Sequence, residues 1–188
     1  MNFSFEKLSE SLRPISDEQG ANASVILLLK LEGGRLNVLF VKRVENPADP
    51  WSGQMALPGG KREARNEDLK ATVTRETLEE TGISLLSNCR FLGVMSAVHS
   101  RPRPEIKVLP FVVLVEDEPA IMLNEKELER YFWIPVEELV RNRTTMKFSF
   151  GEFPAFIVRG IIIWGLTYRI VESLIRCLET GMLSRKGN

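Results

Sequence analysis

Hydrophobic positions along this chain repeat at two periods, and the places where the period changes outline the elements. Apolar residues over 5–12 recur at helical spacing and predict a short amphipathic N-terminal helix. Two apolar runs follow, near 24–31 and 36–44, and Gly33-Gly34 between them predicts a β-hairpin. A short strand at 55–57 runs into Pro58-Gly59-Gly60. Leu69 and Val73, four residues apart, give a helix over 67–81 an apolar side. Its start is expected at Asn66 as N-cap, with Glu67 and Asp68 in the positive first turn, and its end at Gly82-Ile83. Further strands are expected at 90–98, 108–116 and 131–134, with an acidic helical turn at 124–129 and a short helix opened by Pro135. The most apolar stretch, 155–175, reads as a core strand followed by a long helix from 161 to about 180, closed near Gly181. Arg159, Arg169 and Glu172 within it argue against a membrane span. Strands and helices interspersed in this way predict an α/β fold with a mixed sheet covered on two faces.

One helix carries the candidate chemistry. Glu76, Glu79 and Glu80 stand at i, i+3 and i+4, which projects them from one face within carboxylate reach of one another. Like charges at that spacing repel by about 0.2–0.5 kcal/mol per pair. Glu79 and Glu80 also stand near the negative end of the helix dipole. Taken alone, the triplet reads first as a solvated helix surface. The strand and glycine turn directly before it shift the reading toward a cation site, because glycine permits backbone approaches that side chains obstruct. Hard divalent ions such as Mg²⁺ or Mn²⁺ take oxygen ligands and are commonly shared between one or two carboxylates and substrate phosphates.

Composition narrows the setting. The 188 residues, 44% hydrophobic and 27% charged, suit one globular domain spanning the chain. Twenty-five Lys and Arg balance 25 Asp and Glu, so no global basic field favours nucleic acid or a membrane surface. Cys89 and Cys177 belong to no Cys-x-x-Cys or Cys/His cluster, and the first eight residues contain no apolar signal-peptide core. A reduced, cytoplasmic setting is therefore expected.

The segment from Gly60 to Ile83 resembles the signature of the Nudix hydrolases, Gly-x5-Glu-x7-Arg-Glu-U-x-Glu-Glu-x-Gly-U with U aliphatic. Glu67, Arg75, Glu76, Glu79, Glu80, Gly82 and Ile83 match it, while six residues rather than five follow Gly60 and Thr77 stands at a U position. The resemblance implies an α/β/α sandwich and an Mg²⁺ or Mn²⁺ cofactor. It also implies Glu76, Glu79 and Glu80 as metal ligands, with the Gly60 carbonyl as a further one. Glu67 and Arg75 would form a bracing ion pair, and Gly82 would end the helix. The implied reaction is hydrolysis of a pyrophosphate bond in a nucleoside diphosphate linked to another moiety.

Two further stretches, Gly53-Gln54-Met55-Ala56-Leu57-Pro58-Gly59-Gly60 and Ile163-Trp164-Gly165-Leu166-Thr167, are similar to the coenzyme A pyrophosphatase branch, which also tends to carry the longer turn. Ala48-Asp49-Pro50 departs from that branch by lacking an arginine, and Leu57 by replacing its usual phenylalanine. Coenzyme A or a derivative is the expected substrate. Nucleoside triphosphates or ADP-ribose are the alternative, and a non-catalytic nucleotide-binding module is the remote one.

Hydrolysis also requires a base for the attacking water. Glu76 and Glu79 are the catalytic candidates on the helix, while Glu116, Glu118, Glu125 and Glu127 leave a distal loop open as the source. Arg101, Arg103 and Lys107 form a cationic loop that suits phosphate, and a solvated connection explains it equally. Arg43 and Trp51 flank the site from the other side, Trp51 either stacking on a base or packing under its loop. His99, the only histidine, reads as a surface or hydrogen-bonding residue. The expected partner is a small nucleotide derivative, with neither nucleic acid nor membrane involved, and the chain is expected as a monomer or homodimer.

Overall fold

The structure is a computed structural model that describes residues 5–48, 51–63 and 67–183. Chain order runs α1 (Phe5–Ser11), β1 (Ala23–Glu32), β2 (Arg35–Arg43), β3 (Met55–Ala56), β4 (Gly59–Lys61), α2 (Leu69–Thr81), β5 (Cys89–Val94), β6 (Val98–His99) and β7 (Lys107–Val115). It continues through β8 (Leu128–Pro135), α3 (Val136–Arg141), β9 (Arg143–Phe148), β10 (Gly151–Val158), β11 (Ile161–Trp164) and α4 (Gly165–Leu183).

β1 is the organising strand. Its residues from Ile26 to Leu29 are fully buried, as a strand covered on both faces requires. It pairs antiparallel with β2 and β4 and parallel with β7, so the sheet is mixed, in the order β3-β2-β1-β7-β5. Strand alternation sends Leu27 and Leu29 to one face, where they join a core with Leu8 of α1 and Ile170, Val171 and Leu174 of α4. Ile26 and Leu28 point to the other face and meet Leu69 and Val73 of α2. Helices on both faces of a mixed sheet make the α/β/α sandwich expected from the sequence.

Several local expectations are corrected. Asp68, not Asn66, caps α2: its backbone is extended and its side chain accepts the Ala71 N–H at 2.7 Å. Asn66 lies outside the described residues. Glu67 therefore stands before the helix, and its carboxylate accepts the Glu63 N–H at 3.1 Å. Glu18, 51 residues upstream, accepts the Leu69 N–H at 2.6 Å and so satisfies a further first-turn donor. Pro135 is the N-cap of α3 rather than its first residue. The strand expected over 90–98 is broken, and Gln19 bridges the gap by bonding the Met95 carbonyl and the Ala97 N–H.

The largest correction concerns 161–164, a strand rather than the start of the last helix. Arg159 and Gly160 both have positive φ, 51° and 80°, which is the backbone of a two-residue hairpin turn. Three consecutive β-branched isoleucines then suit the strand paired to β10. Gly165, with φ of 65°, breaks it, and α4 begins there. A further strand, β9, completes a small three-stranded sheet that the hydrophobic pattern did not mark. Among the described residues, no helix is long and apolar enough to cross a membrane.

The glycine turn is held where β4 lies against β1. Gly59 has φ of 140°, and a Cβ there would stand 2.2 Å from the Ser24 carbonyl oxygen and 2.6 Å from Val25 Cα. At Gly60 the nearest atoms a Cβ would meet are instead the carboxylate end of Glu76, at 2.4–2.6 Å. A clash with backbone cannot relax cheaply, whereas a side-chain end can swing away. Gly59→Ala is therefore expected to lower unfolding free energy by about 3 kcal/mol. Gly60→Ala should change it by no more than about 1 kcal/mol. Urea unfolding of both variants checks the contrast, and equal losses would contradict it.

Candidate active site

The glycine turn and α2 meet through two contacts. The Gly59 N–H donates to Glu80 Oε2 at 2.9 Å, and the Gly60 Cα faces the Glu76 carboxylate without room for a methyl group. Glu80 is 4% exposed. Burial, reinforced by the nearby charge of Glu76, pushes its carboxyl up to about 8, against the opposing Gly59 hydrogen bond and Arg43 charge. Burial also raises Glu76, with Glu79 and Glu127 adding to the effect and Arg75 opposing it.

Arg75 gathers the remaining carboxylates. Its Nε donates to Glu67 Oε1 at 3.2 Å, and its Nη1 reaches Glu76 Oε1 at 2.9 Å and Glu79 Oε2 at 3.2 Å. Burial alone would lower the guanidinium's pKa, but its bonds to Glu67 and Glu76 prevail and raise it. Glu67 moves the other way: burial works upward, and the Arg75 bond and the Glu63 N–H outweigh it, holding the carboxyl below its ordinary range. The structure thus brings together Glu67, Arg75, Glu76 and Glu79, with Glu80 and Gly60 beside them.

The C-terminal end of α2 is fixed by Gly82, whose φ of 71° forms a left-handed cap and whose N–H bonds the Leu78 carbonyl. A Cβ at Gly82 would press on Met122 at 3.2 Å, so this glycine also lets the next loop dock. That loop donates the Met122 N–H to the Thr81 carbonyl and the Asn124 N–H to the Glu80 carbonyl. It carries Glu127, whose charge is felt by both Glu76 and Glu80. Among the distal carboxylates, Glu127 is therefore favourably placed. Glu116 and Glu118 are not: Glu116 accompanies Asn88 and Cys89 beyond the far end of β7, and Glu118 pairs with Lys30.

Among the described residues, no three acidic, histidine or cysteine side chains converge closely enough in this arrangement to hold an ion. Arg75 stands between Glu76 and Glu79, and Glu80 is turned to Gly59. The donor chemistry still fits a hard cation. Burial raises both Glu76 and Glu80, and neighbouring carboxylates add to it, Glu79 and Glu127 at Glu76 and Glu76 and Glu127 at Glu80, a cost that a cation beside them removes.

A cavity of about 1010 Å³ opens beside the glycine turn. Arg43, Trp51 and Arg101 line it together with Gly59, Gly60 and Lys61. Arg103 stacks over the Trp51 ring at 5.5 Å. Lys107 departs from the expected cationic loop, because its ammonium bonds the Gln19 carbonyl. His99 is structural: its Nδ1 meets the Pro104 carbonyl oxygen at 2.9 Å. An aromatic wall not foreseen from the hydrophobic pattern, formed by Phe148, Phe150, Phe153 and Trp164, lines the same cavity, its rings packed at centroid distances of 4.5–6.1 Å. Three phenylalanines within six residues were the available signal.

The NUDIX domain model matches residues 20–154, and the chain belongs to that family. Nudix hydrolase 22, chloroplastic, of Arabidopsis thaliana is 31% identical over 178 residues, covering 86% of this chain and 56% of that protein. The peroxisomal coenzyme A diphosphatase ndx-8 of Caenorhabditis elegans is 25% identical, over 93% of this chain and 74% of the relative. The chain spans only 33% and 56% of the length of two of the curated relatives it matches. RenU, a Nudix hydrolase of M. smegmatis, superposes with a TM-score of 0.58 at 16% identity, covering 87% of this chain and 86% of that one, which supports the fold.

The Glu80 shift predicts a pH dependence. Its folded pKa, about 8, lies above the reference value of 4.5, so between those values the folded chain keeps a proton that the unfolded chain has lost. Its contribution to stability therefore falls as pH rises from about 4.5 to about 8 and is constant above that. In chelated buffer, Glu80→Gln should flatten this slope in urea unfolding series. An unchanged slope would show that Glu80 is ionised throughout.

Proposed function

We propose that this chain is a metal-dependent pyrophosphohydrolase whose substrate is coenzyme A or a derivative. The observation that carries the reading is the meeting of the Gly59-Gly60 turn with the carboxylates of α2, in a chain of the Nudix family. Glu76, Glu79 and Glu80 are the ligand candidates for Mg²⁺ or Mn²⁺, with the Gly60 carbonyl beside them. When bound, such an ion supplies Lewis-acid polarisation and lowers the pKa of water. Glu76 and Glu79 are the carboxylates available to accept the water's proton, and Glu127 is a third from the docked loop. Glu67 and Arg75 hold the helix and orient Glu76 and Glu79.

Substrate choice rests on the cavity. It joins the glycine turn to a wall of four aromatic rings, and Arg43, Arg101 and Trp51 stand between cationic and apolar chemistry along its lining. That combination suits a nucleotide diphosphate carrying a long, partly apolar arm. The name of ndx-8 supports coenzyme A as that substrate. The described elements act as one domain in this reading. Cys89 and Cys177 are free thiols raised by burial, which fits a reducing compartment, and we place the activity in the cytoplasm.

Incubation with Mg²⁺ or Mn²⁺ and a panel of coenzyme A, ADP-ribose, dinucleoside polyphosphates and nucleoside triphosphates tests the proposal. Adenosine 3′,5′-bisphosphate and phosphopantetheine are the expected products from coenzyme A. Turnover confined to nucleoside triphosphates, releasing pyrophosphate, would overturn the substrate assignment. The Glu79 side chain is 56% exposed, so Glu79→Gln should keep the fold while reducing kcat by about 100-fold or more. Gly60→Ala, by displacing the Glu76 carboxylate, should reduce it by a similar factor of about 100. Unchanged kcat in either variant would refute the role given to that carboxylate.

A further inference from the structure

One part of the cavity lining, where β6 ends beside α4, holds polar groups that the fold leaves unsatisfied. Ser100 is 1% exposed, and its Oγ has no hydrogen-bond partner. Arg169, in the second turn of α4, donates from Nη2 to the His99 carbonyl at 2.6 Å, which anchors its guanidinium next to Ser100. Its Nε is buried and has no partner either. Ser100, Arg101 and Arg169 all line the cavity. Burial, and then the neighbouring charge of Arg101, hold the Arg169 guanidinium below its ordinary value. Among the described residues, no carboxylate pairs with either arginine.

Leaving a buried N–H and a buried hydroxyl unpaired is costly, and two guanidiniums in mutual repulsion add to that cost. An anion accepting from all of these groups removes both penalties. We propose that Ser100, Arg101 and Arg169 form a phosphate subsite that receives a phosphomonoester carried on the nucleotide part of the substrate. A phosphomonoester, doubly charged and with three free oxygens, matches two guanidiniums and a hydroxyl better than a singly charged diester does. The pyrophosphate under attack belongs at the α2 carboxylates, so this subsite reads a second phosphate. The inference rests on the reading of the cavity as the nucleotide site, and it makes Arg169 and Ser100 specificity determinants rather than catalytic residues.

The test is calorimetric titration of the full chain with adenosine 3′,5′-bisphosphate and with AMP, which differ by one phosphomonoester. The bisphosphate should bind about tenfold more tightly. Arg169→Met should bring the two affinities to within about twofold, and Arg169→Lys should restore part of the preference. Ser100→Ala, which removes only the hydroxyl, should reduce the preference by about threefold. Equal affinities in the unaltered chain, or a preference that survives Arg169→Met, would overturn the subsite. These titrations involve no turnover. Failure to hydrolyse coenzyme A therefore counts against the proposed substrate alone, while the affinity ratio decides the subsite.

Discussion

The close approach of β4 to α2 is the constraint from which the rest of the site follows. Gly59 lies on β1 so tightly that a single methyl group would enter the Ser24 carbonyl, and this places its N–H within 2.9 Å of Glu80. Gly60 then leaves the space that the Glu76 carboxylate occupies. Two glycines in sequence thus do separate work, one fitting the turn to the sheet and the other fitting it to the helix. Leu69 and Val73, on the same face of α2 as Glu76 and Glu80 but nearer its N-terminus, tie the helix to the core, so it cannot retreat from the contact.

Concentrating carboxylates at that junction raises an electrostatic problem, and the chain meets it with one arginine. Arg75 spans Glu67, Glu76 and Glu79, while Glu80 is out of its reach and instead rises toward neutrality. The arrangement has consequences on both the stability and the functional side. The bridging guanidinium stabilises the folded chain, and burial favours the neutral form of Glu80, whereas the proposed cation binding would require Glu80 to lose its proton and Glu76 and Glu79 to turn from Arg75. On the proposed function, fold and chemistry would therefore draw on the same carboxylates.

Much of this was legible in the sequence. The box residues at their spacing, the anchoring pair Leu69 and Val73, the Gly33-Gly34 hairpin and the helix stop at Gly82 all follow from local patterns that the structure preserves. What could not be read depends on distant partners. Glu18 caps a helix 51 residues away, and Gln19 fills a gap between β5 and β6. The run 161–164 is apolar enough for either a helix or a strand, and only the positive φ of Arg159 and Gly160 decides for a hairpin. Lys107 resembled its arginine neighbours by charge but is diverted to a backbone carbonyl, whereas Arg169 and Ser100 join the cavity from segments nearly 70 residues apart.

The central claim is that a cation replaces a proton at the α2 carboxylates. Calorimetric titration of Mn²⁺ into the chelator-treated chain near pH 7, repeated in buffers of different ionisation enthalpy, measures the protons released on binding. With Glu80 at about 8, binding should release close to one proton. The release should vanish in Glu80→Gln. Binding without proton release, or no Mn²⁺ binding at all, would contradict the account.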